Sequence, residues 1–390
     1  MNVYEAALKR IEYIFNEFGN VYVAFSGGKD SGIVLNLFID VARKLNRTFK
    51  VLFIDVEGMY CETRDFVKRM LINNKDVITY DWVCLPITMV SAVSLCNPYW
   101  VIWHPAHKDK WVREMPTNSI NLHNYNFEFF KFGMGFKNFM NKYAKFQTKN
   151  YGKTACIVGI RTQESLNRWR AIFRKDVTRY KNEQYSTFVA KNTYNFYPIF
   201  DWRTEDVWTY NGKFNKDYNK IYDLMYRAGV PLSKMRIAQP FGDEQKAGLQ
   251  LFKVIEPETW EKIVNRVAGV NFGNIYCKTI ATGSHKVVLP KGHTWKSYCE
   301  FLLNTLPEFT KKRYKKKFIQ FIQHYKKHNV TTNMQYIPDT DIFNHNLENI
   351  YWRKMATTLI KNSFKDLNYS ITQQQLEQRA VIINKYKDLL

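Results

Sequence analysis

The chain has 390 residues, 45% of them hydrophobic, and a formal net charge of +23. That length and apolar share allow two or three domains around sizeable cores and exclude an intrinsically disordered chain. No apolar run approaches the roughly 20 residues of a membrane span. The opening MNVYEAALKRIEYIF reads as a charged amphipathic helix, not a signal peptide, so a cytoplasmic protein without a membrane partner is expected.

The six cysteines, Cys61, Cys84, Cys96, Cys156, Cys277 and Cys299, contain no C-x-x-C pair. Neither a zinc ribbon nor an iron–sulfur cluster is signalled, and buried free thiols are expected. The positive charge favours an anionic partner such as nucleotide or nucleic acid. An AT-rich coding bias would give the same abundance of Lys, Asn, Tyr and Ile, so charge alone leaves that partner open.

In chain order, residues 3–18 predict a helix with Tyr4, Leu8, Ile11, Ile14 and Phe15 on one stripe. VYVAF (21–25) is a short apolar run of the kind parallel sheets bury. A helix over 31–45, a strand at 50–54 ending before Asp55, a helix over 61–71 and a strand at 77–85 follow. This alternation implies a parallel sheet with right-handed crossovers. Residues 97–150 interrupt it as an insertion with some helix near 127–146. The rhythm resumes with a strand at 154–160, a helix from about 163, a strand at 195–200 and a helix near Thr204, the expected N-cap. The fold class expected is α/β, a parallel five-stranded sheet with helices on both faces over 1–230. A mostly helical, basic C-terminal domain is expected over 231–390, with helices at 257–267, 293–306 and 307–328.

The strand at 21–25 ends in SGGKDS, and a helix begins at once. A Gly-rich turn between a buried strand and a helix is an anion site, because turn and first-turn amides converge and the helix dipole favours negative charge. Gly27 and Gly28 allow close backbone approach. Ser26 and Ser31 supply hydroxyls, Lys29 a mobile cation, and Asp30 a carboxylate. The spacing is not the G-x-x-x-x-G-K-[ST] of a Walker A loop.

SGGKDS resembles the loop of the PP-loop, or adenine-nucleotide alpha-hydrolase-like, superfamily. Three further segments resemble its phosphoadenosine phosphosulfate (PAPS) reductase-like branch. In FIDVEGMYCET, Asp55, Glu62 and Thr63 match. Asp55 ends a strand where open α/β sheets bind ligands, and would meet ribose hydroxyls or a metal. Glu62 is also simply an acidic first-turn residue that the helix dipole favours. In GIRTQESLNRW, Arg161, Glu164, Ser165 and Arg168 match, and the resemblance directs both arginines to the terminal anionic group of the nucleotide. In YPIFDWRTEDVW, Asp201 and Trp202 are implied near the nucleotide, while Val207 and Trp208 are expected in the core. The resemblance implies an ATP or PAPS-like sulfonucleotide ligand with Mg²⁺, and makes Lys29 and Asp30 the catalytic candidates. The Glu-Cys-Gly-Leu-His segment of the reductases has no counterpart, so their thiol chemistry is not expected.

NPYWVIWHPAHKDKWVREMP, residues 236–273 and residues 289–307 extend the likeness to a YbdN/IbrA-type subgroup with its own C-terminal domain. That resemblance implies a regulatory role with a ParB-like protein partner. Two function classes therefore stand: a nucleotide-cleaving enzyme, and a non-catalytic nucleotide-binding regulator associated with DNA. The run KKRYKKK places Lys311, Lys312, Arg313, Lys315, Lys316 and Lys317 ahead of Phe318, Phe321, Ile322 and Tyr325. This predicts an amphipathic helix whose basic face is either solvated or lies along a DNA or RNA backbone. His104 and His107 lack a third ligand at metal spacing, and His324 and His328 sit in a basic stretch, so no metal site is assigned. Asp243, Glu244 and Gln245 sit in a polar loop of the type that lines ligand sites.

Overall fold

A computed structural model describes residues 2–94, 98–174, 177–242, 248–267, 269–270, 289–327 and 348–360. Cys96, Cys277, Asp243, Glu244, Gln245 and His328 lie outside the described residues. The chain forms two compact units. The first comprises residues 1–89, 99–240 and 248–266; the second comprises residues 90–98, 241–247 and 267–390.

The first unit begins with α1 (Val3–Glu17), β1 (Asn20–Ala24), α2 (Lys29–Lys44), β2 (Phe49–Ile54), α3 (Cys61–Ile72) and β3 (Ile78–Val83). The insertion carries short strands β4 (Thr88–Val90) and β5 (Tyr99–Val101), then α4 (Phe136–Tyr151). β6 (Thr154–Val158), α5 (Leu166–Phe173), β7 (Ser186–Ala190), β8 (Thr193–Phe196), α6 (Thr204–Lys213) and α7 (Ile221–Arg227) follow, with α8 (Leu249–Ile255) and α9 (Pro257–Arg266) closing the unit.

The main sheet runs β3-β2-β1-β6-β8-β7. Its first five strands are parallel, as the strand–helix rhythm requires. β7 is an antiparallel edge strand paired with β8 that the sequence reading missed. Its signal was present: Asn192, at φ 61°, turns the chain between two β-rich runs. The strand expected at 195–200 is correspondingly shifted to Thr193–Phe196.

Both faces of the sheet are covered. Tyr22 in β1 meets Tyr143 of α4 edge-on at 5.2 Å, whereas Phe49 in β2 packs against Phe15 of α1 and Phe38 of α2. Burial on both faces explains why Val21, Tyr22 and Val23 are all within 3% of complete burial. β1 lies between β2 and β6, with Ala24 in register with Leu52 on one side and Val158 on the other. The chain winds outward from β1 in both directions, so the crevice outside the carboxyl ends of β1 and β6 is a topological switch point.

In the second unit, α10 (Trp295–Asn304), α11 (Glu308–Lys327) and α12 (Glu348–Ile360) share a core of Cys299, Tyr314, Phe318, Phe321, Met355, Ala356 and Leu359. Thr294 caps α10 by accepting the Ser297 amide at 3.1 Å. Among the described residues, no helix is long and apolar enough to cross a membrane.

Candidate functional site

The loop Ser26–Ser31 leaves β1 at the switch point and turns directly into α2, which starts at Lys29, two residues earlier than the sequence pattern suggested. Gly28 is the N-cap and provides no side-chain cap, which suits a helix start that receives an anion. Gly27 is left-handed at φ 74°, and a Cβ there would stand 2.8 Å from Thr63 Cγ2. The two serine hydroxyls bond each other at 2.9 Å across the turn, and the Ser31 hydroxyl donates to the Gly28 carbonyl. Thr63 is a packing residue behind the loop: Asn219 Nδ2 donates at 2.9 Å both to its hydroxyl and to the Gly27 carbonyl.

Charged groups gather above the loop. Arg161, 2% exposed, donates from Nε to Asp30 Oδ1 at 2.5 Å and from Nη1 to Gln163 Oε1 at 3.2 Å. Lys29 is also buried. Its Nζ lies 3.6 Å from Asp30 and donates to the Met235 carbonyl at 2.9 Å, and its amide donates to Tyr222 Oη at 3.0 Å. Burial pulls the Lys29 pKa below the ordinary lysine value, partly offset by Asp30. Burial, then the neighbouring Asp30, pushes the Glu164 carboxyl up, and Arg168 opposes this from 2.6 Å. Ser165 caps α5 by accepting the Arg168 amide.

These residues open onto a pocket of about 680 Å³ lined by Lys29, Arg161, Glu164, Thr204, Trp208 and Arg236, among others. Trp208, expected in the core, lines this pocket, whereas Val207 is fully buried. The N-cap of α6 is Arg203, not Thr204, because the Asp206 carboxylate reaches back to the Arg203 amide at 2.7 Å. Thr204 instead turns its amide and hydroxyl to Gln163 Oε1.

Sequence reasoning missed several residues here. Gly159 ends the β6 approach, and a Cβ on it would lie 2.9 Å from both Ser31 Cα and Ser31 N. Only a glycine lets the Gly-Ile-Arg turn come this close to the start of α2. Tyr222, Asn219 and Arg236 come from residues 219–236, where no sequence pattern marked a site.

Other expected ligands are engaged elsewhere. Asp55 is fully buried, with its carboxylate bonded to the guanidinium of Arg113, to Trp82 Nε1 at 2.8 Å and to the Glu57 amide. Beside it, Glu57, also fully buried, accepts from Arg266 Nε at 2.6 Å and from the Trp103 amide at 2.7 Å. Asp201 forms a two-pronged pair with Arg10 of α1 at 2.7 and 2.8 Å, and the buried Trp202 donates to the Val3 carbonyl. Both tether α1 and do not line the pocket. Glu62 sits in the first turn of α3, as the dipole reading allowed.

His104 and His107 stand with ring centroids 4.9 Å apart, and His104 Nδ1 accepts the Ala106 amide. Among the described residues, no three His, Cys, Asp or Glu side chains cluster around a possible metal position. In α11 the expected amphipathic pattern is present. Tyr314, Phe318 and Phe321 are buried; Lys312, Lys315 and Lys316 are exposed, and Lys311, Arg313 and Lys317 are half-buried. Only the backbone of His324 is described.

Sheet order and the strand–loop–helix at Ser26–Ser31 are those of the PP-loop superfamily. Residues 110–228 match the phosphoadenosine phosphosulfate reductase domain, and residues 229–358 match a domain of unknown function (DUF3440). The chain is 35% identical over 387 residues to the uncharacterized protein YbdN of Escherichia coli (strain K12), covering 97% of this chain and 93% of that one. It belongs to the YbdN family. It is also similar to the uncharacterized protein MJ0973 of Methanocaldococcus jannaschii, 27% identical over 52% of this chain and 38% of the relative. Among solved structures it is similar to FMN adenylyltransferase of Candida glabrata, with TM-score 0.32 and 12% identity over 56% of this chain and 58% of that one. PAPS reductase of Candida auris gives TM-score 0.31 and 12% identity over 56% and 84%.

Proposed function

We propose that the chain binds ATP with its phosphates over Ser26–Ser31 and cleaves it between the α and β phosphates, adenylating an acceptor. The observation that carries this reading is the pocket at the switch point, where buried Lys29 and Arg161 stand over a glycine-cornered helix start. An acceptor oxygen or nitrogen attacks the α phosphorus, and the bond to the bridging oxygen breaks. Pyrophosphate then leaves with that electron pair. Loop amides and the Lys29 ammonium stabilise the charge growing on it. Asp30 holds Arg161 in place, and Trp208 lines the pocket beside them.

Mg²⁺ fits the hard oxygen donors Asp30 and Glu164, since this ion typically takes one or two carboxylates plus substrate phosphates. When bound, it would neutralise phosphate charge. A PAPS-like sulfonucleotide would use the same loop, but thiol-dependent reduction is disfavoured. The reductases' Glu-Cys-Gly-Leu-His segment has no counterpart in the sequence. Reduction also needs a thiolate, whereas burial holds the Cys156 and Cys299 thiols up at about 12 and raises the pKa of the exposed Cys61 as well.

The test is release of AMP and pyrophosphate from α-labelled ATP with Mg²⁺. Turnover abolished in Lys29→Ala supports the reading. Tight nucleotide binding without turnover, with and without DNA, removes the enzyme in favour of a second reading. That reading is a nucleotide-binding regulator working with a ParB-like partner and DNA or RNA, favoured by the exposed Lys312, Lys315 and Lys316 on α11. Neutralising Lys315 and Lys316 should weaken polyanion binding and flatten its salt dependence. Unchanged binding would reject that role for the helix.

A further inference from the structure

The donors that a phosphate would take are already occupied by the chain itself. The Lys29 amide gives its hydrogen bond to Tyr222 Oη at 3.0 Å, and the Lys29 ammonium gives one to the Met235 carbonyl at 2.9 Å. Arg161 Nη1 is likewise turned to a neutral oxygen, Gln163 Oε1. Oxygen atoms of the protein thus stand where anionic oxygens would bind, at the first amide and the only lysine of the loop.

The segment bearing Met235 is a short, largely exposed strap. Tyr226–Gly229 and Pro231–Lys234 are exposed, whereas Met235 is buried, at 1% exposure. Gly229, at φ 78° with nothing within 4 Å of an added Cβ, is a left-handed corner in open space where this strap begins. The far end is held by Arg236, which donates to the Glu164 carbonyl at 2.6 Å. Leu232, Ser233 and Arg236 of the same strap wall the pocket.

We infer that Tyr222 and the 229–236 strap are an internal stand-in for the nucleotide's phosphates, released when the ligand enters. The inference rests on the phosphate-site reading above and adds an exchange step to it. A phosphate oxygen accepting from the Lys29 amide displaces Tyr222 Oη, because one N–H cannot serve both acceptors at full strength. Capture of the ammonium likewise frees the Met235 carbonyl, and the strap swings about Gly229. The free protein therefore keeps its buried lysine and first-turn amide satisfied, and nucleotide affinity is what remains after those bonds are exchanged.

The test is calorimetric titration of inorganic pyrophosphate into the full chain and into Tyr222→Phe, with hydrogen exchange over residues 229–236. Phenylalanine keeps the ring and removes the stand-in oxygen. The expected result is about fivefold tighter binding by the variant, the worth of one hydrogen bond no longer broken. In the native chain, pyrophosphate should speed exchange of the Val230 amide, which ties the strap to the Met225 carbonyl of α7, and of the Lys234 and Met235 amides, which are bonded within the strap. Equal or weaker binding by the variant, or a strap whose exchange slows or stays constant, overturns the inference while leaving the phosphate site intact. No binding by either protein overturns both.

Discussion

Substituting Gly159 with alanine probes how tightly the Ser26–Ser31 loop is positioned. The new Cβ would stand 2.9 Å from Ser31 Cα and N and 3.1 Å from the Asp30 carbonyl carbon. Carbon pairs rest at about 3.5 to 4.0 Å, so the β6 turn and the start of α2 must part by roughly 0.6 Å or more. Backbone is the obstacle on both sides, so no rotamer change relieves it. The loop already presses on α3 at Gly27, where an added Cβ would meet Thr63 at 2.8 Å and Val67 at 3.0 Å. Overpacking of this kind costs about 1 to 3 kcal/mol, a fall in Tm of about 2 to 12 °C for a unit of this size. The functional loss should be larger than the stability loss, because a misplacement near 1 Å costs about a hundredfold in turnover. The assay pairs thermal unfolding with pyrophosphate release from ATP, using Gly212→Ala as control. Gly212 lies in α6 with nothing within 4 Å of an added Cβ, so that change should be neutral or slightly stabilising. A Gly159→Ala protein with native Tm and native turnover would refute the argument that this contact sets the loop.

Three further outcomes are expected. Burial lowers the Lys29 pKa below its ordinary 10.5, so the cation that phosphates need is lost as pH rises through the lowered value. Pyrophosphate affinity should decline at lower pH than an ordinary lysine dictates, and Lys29→Arg should move the decline upward; coincident profiles would contradict this. For the unliganded protein the sign is opposite, and stability rises with pH across that window. Hydrogen bonds from Lys181 and then Tyr180 lower the Glu17 pKa from 4.5 to about 2. Its contribution is present above pH 4.5 and lost as pH falls toward 2, so Glu17→Gln should flatten that part of the acid-unfolding curve, and an unaltered curve would discount the pair. Arg266→Ala strips the fully buried Glu57 of its cation and should cost about 3 to 5 kcal/mol in denaturant unfolding, partly restored by adding Glu57→Gln. A loss below about 1 kcal/mol would show that water reaches Glu57.

The five parallel strands were legible because burial on both faces leaves unbroken runs such as VYVAF and KVLFI, spaced by helices. SGGKDS was legible because turn, cation and hydroxyls are contiguous. Long-range choices were not legible. The partners of Asp55 and Asp201 are such choices: Arg113, 58 residues away, and Arg10, 191 residues away, bond them. A motif reports what a carboxylate can do, while the fold decides which distant guanidinium reaches it first. Tyr222 and Asn219 were invisible for the same reason: their role depends on meeting a loop about 190 residues earlier, and DYNKIYDLMY carries no local sign of it. The edge strand β7 was missed differently. Its Asn turn was in plain view, but the TFVAKNTYNF stretch is only half-buried and lacks an apolar run.

The Glu57–Arg266 pair has a consequence for synthesis. Its partners are separated by 209 residues, which a ribosome adding about 5 to 20 residues per second takes roughly 10 to 40 s to span. Throughout that interval the end of β2 carries a carboxylate with no cation to bury it against. The nascent sheet can pair its strands but cannot neutralise the buried carboxylate that follows β2 until α9 leaves the exit tunnel. A fragment released near residue 230, though it holds every strand of the sheet, would be arrested at that stage, and chaperones would be expected to retain it.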